Sequence, residues 1–399
     1  MVNSFFEKHF GGLSKNTVLL GLSSLFGDIS TEMLYPILPT FLTQTLRASG
    51  SIVGLIDGIA QAVQNIAQGF SGMLSDKLQK RKSVALVGYI LTAVAKPLMG
   101  LSGAWPTLLG ARMLDRLGSG VRSAPRDALL ASSVETQDRG RAFGLEGFGD
   151  NAGAFLGPLL TLALLYCWHI GLRLIFYLAV IPGLLAFCMV LLVKEQTKAI
   201  AATPASKVHV DPRQLSADYW KYLLATAFFM AGNSSNAFLI LQTQDAGISL
   251  SGTIVIYAGY NLVAALISYP AGTLSDRWGR RNILLFGFAI FVVAYLGFAL
   301  TMNTVLIAAL FIAYGLYQGI FRAVGKALAS DFVPESLRAT GIGWYSTTVG
   351  ILQLIGSLVA GVLWDRVGHA AVFYYGAAFG MIGCGALFLL VPRQRTGKQ

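Results

Sequence analysis

Gly72–Lys82 reads GMLSDKLQKRK, and from Gly272 the chain reads GTLSDRWGRRN. Five positions keep register at a separation of 200: Gly72 with Gly272, Leu74 with Leu274, Ser75 with Ser275, Asp76 with Asp276 and Arg81 with Arg281. Each copy lies between two long apolar runs. A second echo, DALLASSVETQDRGRAFG from Asp127 and KALASDFVPESLRATGIG from Lys326, runs at an offset of 199, and FGDISTEML from Phe26 weakly matches AGNSSNAFL from Ala231. Repetition at half the length of a 399-residue chain means that one unit is built twice.

Composition places that unit in a bilayer. Hydrophobic residues make up 55% of the chain and charged residues 12%, with a mean hydropathy of +0.63, against about 25% charged in soluble domains. The 45 glycines suit close helix packing in lipid. The net charge of +11 does not point to nucleic acid, because Lys and Arg sit in short loops between apolar runs, the pattern that orients membrane proteins. Cys167, Cys188 and Cys384 lie in apolar stretches without metal-ligand spacing, so neither a disulfide framework, a metal nor another cofactor is expected. No cleavable leader is read at the N-terminus, where residues 1–15 form a short amphipathic lead.

The apolar segments are 17–45, 51–75, 83–103, 105–132, 141–167, 171–194, 219–246, 250–275, 282–301, 304–331, 339–365 and 370–391, each near the roughly 20 residues needed to span. Basic residues concentrate in alternate connections: Lys77, Lys80, Arg81 and Lys82; Arg139 and Arg141; Lys194, Lys198, Lys207 and Arg213; Arg277, Arg280 and Arg281; and Arg393, Arg395 and Lys398. Both termini are therefore expected on the cytoplasmic side of a cell's inner membrane. Residues 195–217, the single long polar segment, read as a linker.

Both Asp-basic loops resemble the loop motif of the major facilitator superfamily, which joins the second and third helices of each half. The resemblance covers nearly the whole chain. It implies an all-α membrane protein of the MFS fold, with twelve transmembrane helices in two pseudo-symmetric six-helix bundles, 1–194 and 218–399, that rock about a midplane site. Arg112 with Gly118 and Gly120 resembles the family's fourth-helix motif, whose Arg is linked to proton transfer. Glu146 resembles the acid that meets the Asp76 loop, and the glycines up to Gly157–Pro158 resemble the fifth-helix motif common in antiporters. The gating set so implied is Asp76, Arg81, Arg126, Glu146, Asp150, Asp276 and Arg281.

Ionisable residues inside spans cost on the order of 2.5–3.5 kcal/mol each and survive by pairing or by facing water. Asp28 and Glu32 stand one turn apart in the first span, and two close carboxylates favour sharing a proton. With Arg112 they are the proton-coupling candidates; the alternative is that either acid pairs with a base of the fourth span. Pro36 and Pro39 are expected to kink the first span. Asp57, Gln61, Gln64, Asn65 and Gln68 form a polar stripe, which suits a substrate path or an inter-helix seam equally. Lys96 is read as snorkelling, without a role. Arg122 and Arg126 reach the depth of Glu146 and Asp150, so pairing between the fourth and fifth spans is expected. Gln318, Arg322 and Lys326 share a helix face and suggest a cationic wall. The substrate-binding candidates are Tyr35, Gln61, Arg116, Arg122, Asn233, Asn236, Tyr260, Gln318, Arg322, Lys326 and Tyr345.

No phosphate-binding loop and no nucleophile triad stands out, so neither an ATP-driven pump nor an enzyme is expected. The reading is a monomeric, proton-coupled transporter of a small anionic or zwitterionic organic solute, a carboxylate metabolite or siderophore type. Export of lipophilic cations in exchange for protons is the alternative, and a metal-ion exporter is third. A non-transporting receptor on the same scaffold would bind ligand without counterflow, and the two retained loop motifs argue against it.

Overall fold

The computed structural model describes residues 14–78, 80–134, 139–195, 215–333 and 338–392. Most of the amphipathic lead, most of the linker and the basic tail lie outside the described residues, as do the side chains of Asp76 and Asp276.

Helix α1 (Lys15–Glu32) begins where Ser14 Oγ accepts from the Thr17 N–H at 3.2 Å. It gives way to a turn over 33–37 around Pro36, followed by the short pieces Leu38–Thr40 and Phe41–Thr45. Then come α2 (Gly50–Leu78), α3 (Arg81–Leu101), α4 (Trp105–Ser132) and α5 (Arg139–Tyr166). Helix α6 has two pieces, Leu172–Leu178 and Val180–Leu192. Pro182 cannot donate to the Leu178 carbonyl, and at the joint the Ala179 carbonyl accepts from Ser30 Oγ at 2.5 Å.

Helix α7 also has two pieces, Ala217–Gly232 and Asn236–Asp245. The span read at 219–246 is present as Ala217–Asp245, and within it the helix is broken at 233–235. The cause is local: Asn and Ser side chains compete for the backbone, and Ser235 Oγ caps the second piece by accepting from the Ala237 N–H at 3.0 Å. The remaining helices are α8 (Leu250–Trp278), α9 (Arg280–Leu300), α10 (Thr304–Asp331), α11 (Arg338–Arg366) and α12 (His369–Leu390). Gly279 alone joins α8 to α9, at φ +87°, a conformation cheap only for glycine.

Nine of these helices are, within the described residues, long and apolar enough to cross a membrane: α3 and α5–α12. The other three hold the polar load. Helix α1 stops at Glu32 after 18 residues, α2 carries the Asp57–Gln68 stripe, and α4 carries six ionisable residues between Arg112 and Asp127.

Two compact units form: residues 1–41 with 63–204, and 42–62 with 205–399. In the first, α1 packs on α5 and α6, and α3 on α4 and α6. The second repeats this scheme, α7 packing on α11 and α12, and α9 on α10 and α12. Lipid offers no hydrophobic drive for helix association, so close packing and hydrogen bonds must hold the bundle. Gly149, Gly153 and Gly157 provide such packing. A Cβ at each would lie 2.5 Å from the Gly21 carbonyl, 2.6 Å from the Leu25 carbonyl and 2.9 Å from the Ile29 carbonyl, so α5 rests on the bare backbone of α1. The second unit is filled instead by aromatic rings, with Phe229 stacked on Phe288 and Phe291 on Tyr295.

Candidate functional site

Helix α4 gathers Arg112, Asp115, Arg116, Arg122 and Arg126 on one side, and all five are buried. Buried charges must be paired, and two separate groups result. Around Asp115, which is 1% exposed, stand three cations: Lys96 Nζ at 3.2 Å, Arg112 Nη1 at 3.2 Å and Arg116 Nη2 at 2.7 Å. Arg116 also donates to Gln64 Oε1 of α2 at 3.1 Å, and the Arg112 guanidinium lies 5.9 Å from the ring of Tyr35. Lys96 does not snorkel, as its sequence context suggests; it is 1% exposed, and its ammonium meets the Asp115 carboxylate inside the bundle.

The second group joins α1, α4 and α5. Arg126 Nη2 contacts Glu146 Oε1 at 2.5 Å and Asp127 Oδ1 at 3.0 Å, with Asp150 Oδ1 3.8 Å from Nη1. Ser24 Oγ accepts from Arg126 at 2.8 Å and donates to Glu146 at 3.0 Å. The pairing expected between the fourth and fifth spans is thus made by Arg126. Arg122 instead reaches Asp28 of α1, at 3.9 Å, and lies 4.7 Å from the centroid of the Tyr89 ring. A desolvated cation over a ring gains on the order of 2 kcal/mol.

Distances and exposure rank the acids. Asp115 is enclosed by three cations, and Glu146 is gripped at 2.5 Å. The Asp28 side chain is 29% exposed and its ion pair is long, at 3.9 Å. Of the three, Asp28 loses least by changing charge. Glu32, one turn away, is half-buried at the end of α1.

In the second unit, the break in α7 gathers neutral polar groups. Asn233 Nδ2 donates to Tyr317 Oη at 3.0 Å, Asn236 Nδ2 to Tyr260 Oη at 3.2 Å, and Tyr314 Oη to Asn236 Oδ1 at 2.8 Å. Tyr260 and Tyr314 stack with centroids 5.6 Å apart. Ser235 Oγ donates to Asp57 Oδ2 at 2.5 Å. Sequence reasoning misses Tyr314, Tyr317 and Asp57 as partners in this cluster; their period places them on a helix face but does not name the partner across it. Tyr345 is buried against Tyr222, rings 5.9 Å apart and 6° from parallel. Gln61 and Gln318 are half-buried, and Arg322 and Lys326 are exposed.

Of the loop residues, Arg81 is half-buried as the first residue of α3. Arg281 donates from Nε to the Leu387 carbonyl at 3.3 Å and from Nη2 to the Phe388 carbonyl, at the C-terminal end of α12. Its structural counterpart is Lys82, whose Nζ donates to the Leu191 carbonyl at the end of α6 at 2.8 Å. Both cations sit where a helix presents unsatisfied carbonyls and its negative pole. The helix starts at Arg81 and Arg280 are 199 apart, so the register of the basic cluster moves by one against the Gly-Leu-Ser-Asp register. Among the described residues no three His, Cys, Asp or Glu side chains converge as metal ligands would.

A multi-pass helical bundle with ion pairs buried inside it and helices broken beside polar clusters has the build of a membrane transporter. Residues 20–241 and 222–399 match the family model for the Major Facilitator Superfamily. The chain is 34% identical over 385 residues to an uncharacterised MFS-type transporter of Methanocaldococcus jannaschii, with 95% of each chain covered. A protein of Cupriavidus pinatubonensis named as a 4-methylmuconolactone transporter is 28% identical over 379 residues, covering 88% of this chain and 85% of that one. A multidrug resistance protein of Proteus mirabilis is 27% identical over 366 residues, covering 87% and 88%. Among solved structures, a nucleoside transporter superposes with a TM-score of 0.80 at 12% identity, covering 94% of this chain and all of that one. The chain belongs to the major facilitator superfamily: it is a membrane transporter of small molecules, not an enzyme.

Proposed function

We propose that this transporter is proton-coupled and moves a small organic anion or zwitterion by alternating access. The observation that carries the coupling is the loose hold on Asp28: a partly exposed carboxylate 3.9 Å from a buried guanidinium. A proton that neutralises Asp28 leaves Arg122 able to meet the carboxylate of a solute, so proton and solute bind together. Arg116, bonded to Gln64, is the second cation on this path. Within the second unit, the Asn233–Asn236–Tyr260 cluster is a separate candidate for contacts with uncharged polar groups. The name of the Cupriavidus relative, a 4-methylmuconolactone transporter, favours a small organic solute.

The membrane arrangement we propose is twelve spans in two halves, 1–194 and 218–399, both termini cytoplasmic, working as a monomer in a cell's inner membrane. Asp76, Arg81, Asp276 and Arg281 act at its gate. Drug–proton exchange is the second reading; the partial exposure of Asp28 and the Proteus relative favour it. A thermal-shift screen of the purified protein separates the two, since a ligand that binds the native state raises its apparent stability. The anion reading predicts stabilisation by carboxylates that Arg122→Ala removes. Stabilisation by lipophilic cations alone, lost in Asp28→Asn, would establish the exporter instead.

A further inference from the structure

We infer that Tyr89 and Gly27 are positioning residues for the Asp28–Arg122 pair: they form a seat that keeps the Arg122 guanidinium in place whether or not Asp28 is charged. The inference rests on the reading of Asp28 as the proton-carrying acid.

Three walls define the seat. Tyr89 of α3 is 1% exposed and sets its ring 4.7 Å from the guanidinium carbon. Its hydroxyl donates to Ser23 Oγ of α1 at 3.2 Å, and Ser23 donates onward to the Leu20 carbonyl at 2.7 Å. Gly27 forms the second wall. A Cβ there would lie 2.3 Å from Arg122 Nη1 and 3.2 Å from Cζ, so the guanidinium occupies the space a side chain would fill. Asp28 is the third. Gly88 lets α3 close in from behind, since a Cβ on it would lie 2.6 Å from the Arg122 nitrogen.

The chemistry of the walls differs. Asp28 titrates, whereas a ring face and a bare backbone do not. An arginine dependent on Asp28 alone would become an uncompensated buried charge each time that acid took a proton. The ring offers an attraction that persists through the change. The charged groups acting on Asp28 are Glu32 on its own helix, Arg122 and Arg126 on α4, and Asp150 on α5. Neither Tyr89 nor Gly27 adds to that set; they decide where one member of it stands.

The test is an infrared pH titration of the full-length purified protein, following the protonated-carboxyl band that Asp28→Asn removes. Tyr89→Phe keeps the ring and should titrate as wild type. In Tyr89→Leu the guanidinium loses its alternative and leans on Asp28, so protonation should need about tenfold more protons. Gly27→Ala pushes the guanidinium away from Asp28 and should shift the titration the opposite way, to about tenfold fewer. General loosening of the bundle would not produce opposite shifts. Wild-type titration in both Tyr89→Leu and Gly27→Ala overturns the seat, as does a Tyr89→Phe shift equal to that of Tyr89→Leu. If Tyr89→Leu fails to assemble, Gly27→Ala decides alone. A band that survives Asp28→Asn overturns the reading of Asp28 itself, and the seat with it.

Discussion

Asp115 and Glu146 are both buried acids on arginine, yet they differ in what their loss would leave. Replacing Asp115 by Asn strands Lys96, Arg112 and Arg116 without the carboxylate they share. A buried charge deprived of its partner costs about 3–5 kcal/mol. Asp115→Asn should therefore lower the thermal unfolding temperature in detergent sharply or prevent a monodisperse preparation. Glu146→Gln leaves Arg126 with Asp127 at 3.0 Å and Asp150 at 3.8 Å, so its unfolding temperature should fall distinctly less. Equal effects would contradict the separation into two groups. At this scale the sequence exposes the participants, because an ionisable residue in an apolar run has to be explained. It does not expose the pairing. Lys96 reads as a snorkelling side chain from its own helix; only the approach of α4 to α3 shows it sharing Asp115.

Helix contacts depend on which glycines meet a neighbour. A Cβ on Gly153 would lie 2.6 Å from the Leu25 carbonyl, whereas a Cβ on Gly147 would meet nothing within 4 Å. Gly153→Ala must push α5 off α1, an overpacking cost of about 1–3 kcal/mol. Gly147→Ala should be neutral or slightly stabilising, because Ala favours the helix by roughly 1 kcal/mol. Parallel thermal melts of the two variants check this, and equal destabilisation would contradict the stacking of α1 on α5. The existence and order of the helices are legible in the chain, since long apolar runs and the repeated loop fix them. The break at 233–235 is foreshadowed by the NSSN run within AGNSSNAFL, but apolar content on both sides masks it. Tyr89 and Gly27 carry no local signal at all; their part depends on an arginine arriving from another helix.

The two compact units share one helix. Residues 50–62 of α2 group with the second unit and residues 63–78 with the first. Gly50, Gly54 and Gly58 line the early part; Cβ atoms there would lie 2.6 Å from Trp364 Cδ1, 2.3 Å from the Ser357 carbonyl and 2.7 Å from Leu354 Cδ1. Asp365 holds its first turn, accepting from the Gly50 and Ser51 N–H groups at 2.8 Å each and from Ser51 Oγ. Loss of a helix cap costs about 1 kcal/mol, so Asp365→Ala should speed hydrogen exchange at 50–53 roughly fivefold and leave 63–78 unchanged. Acceleration along all of α2 would show that the helix behaves as one body. The two-fold design of the whole chain is its most legible feature, because the repeated loops announce it, whereas the grouping of 42–62 with the second unit emerges only from packing. Proton coupling through Asp28 can be measured in proteoliposomes loaded with a pH-sensitive dye, with carboxylates and lipophilic cations added in turn. A carboxylate should move protons across the membrane in the wild type; Asp28→Asn should abolish this flux while solute exchange without a gradient persists. Carboxylate-driven proton flux at the wild-type rate in Asp28→Asn would contradict coupling through Asp28.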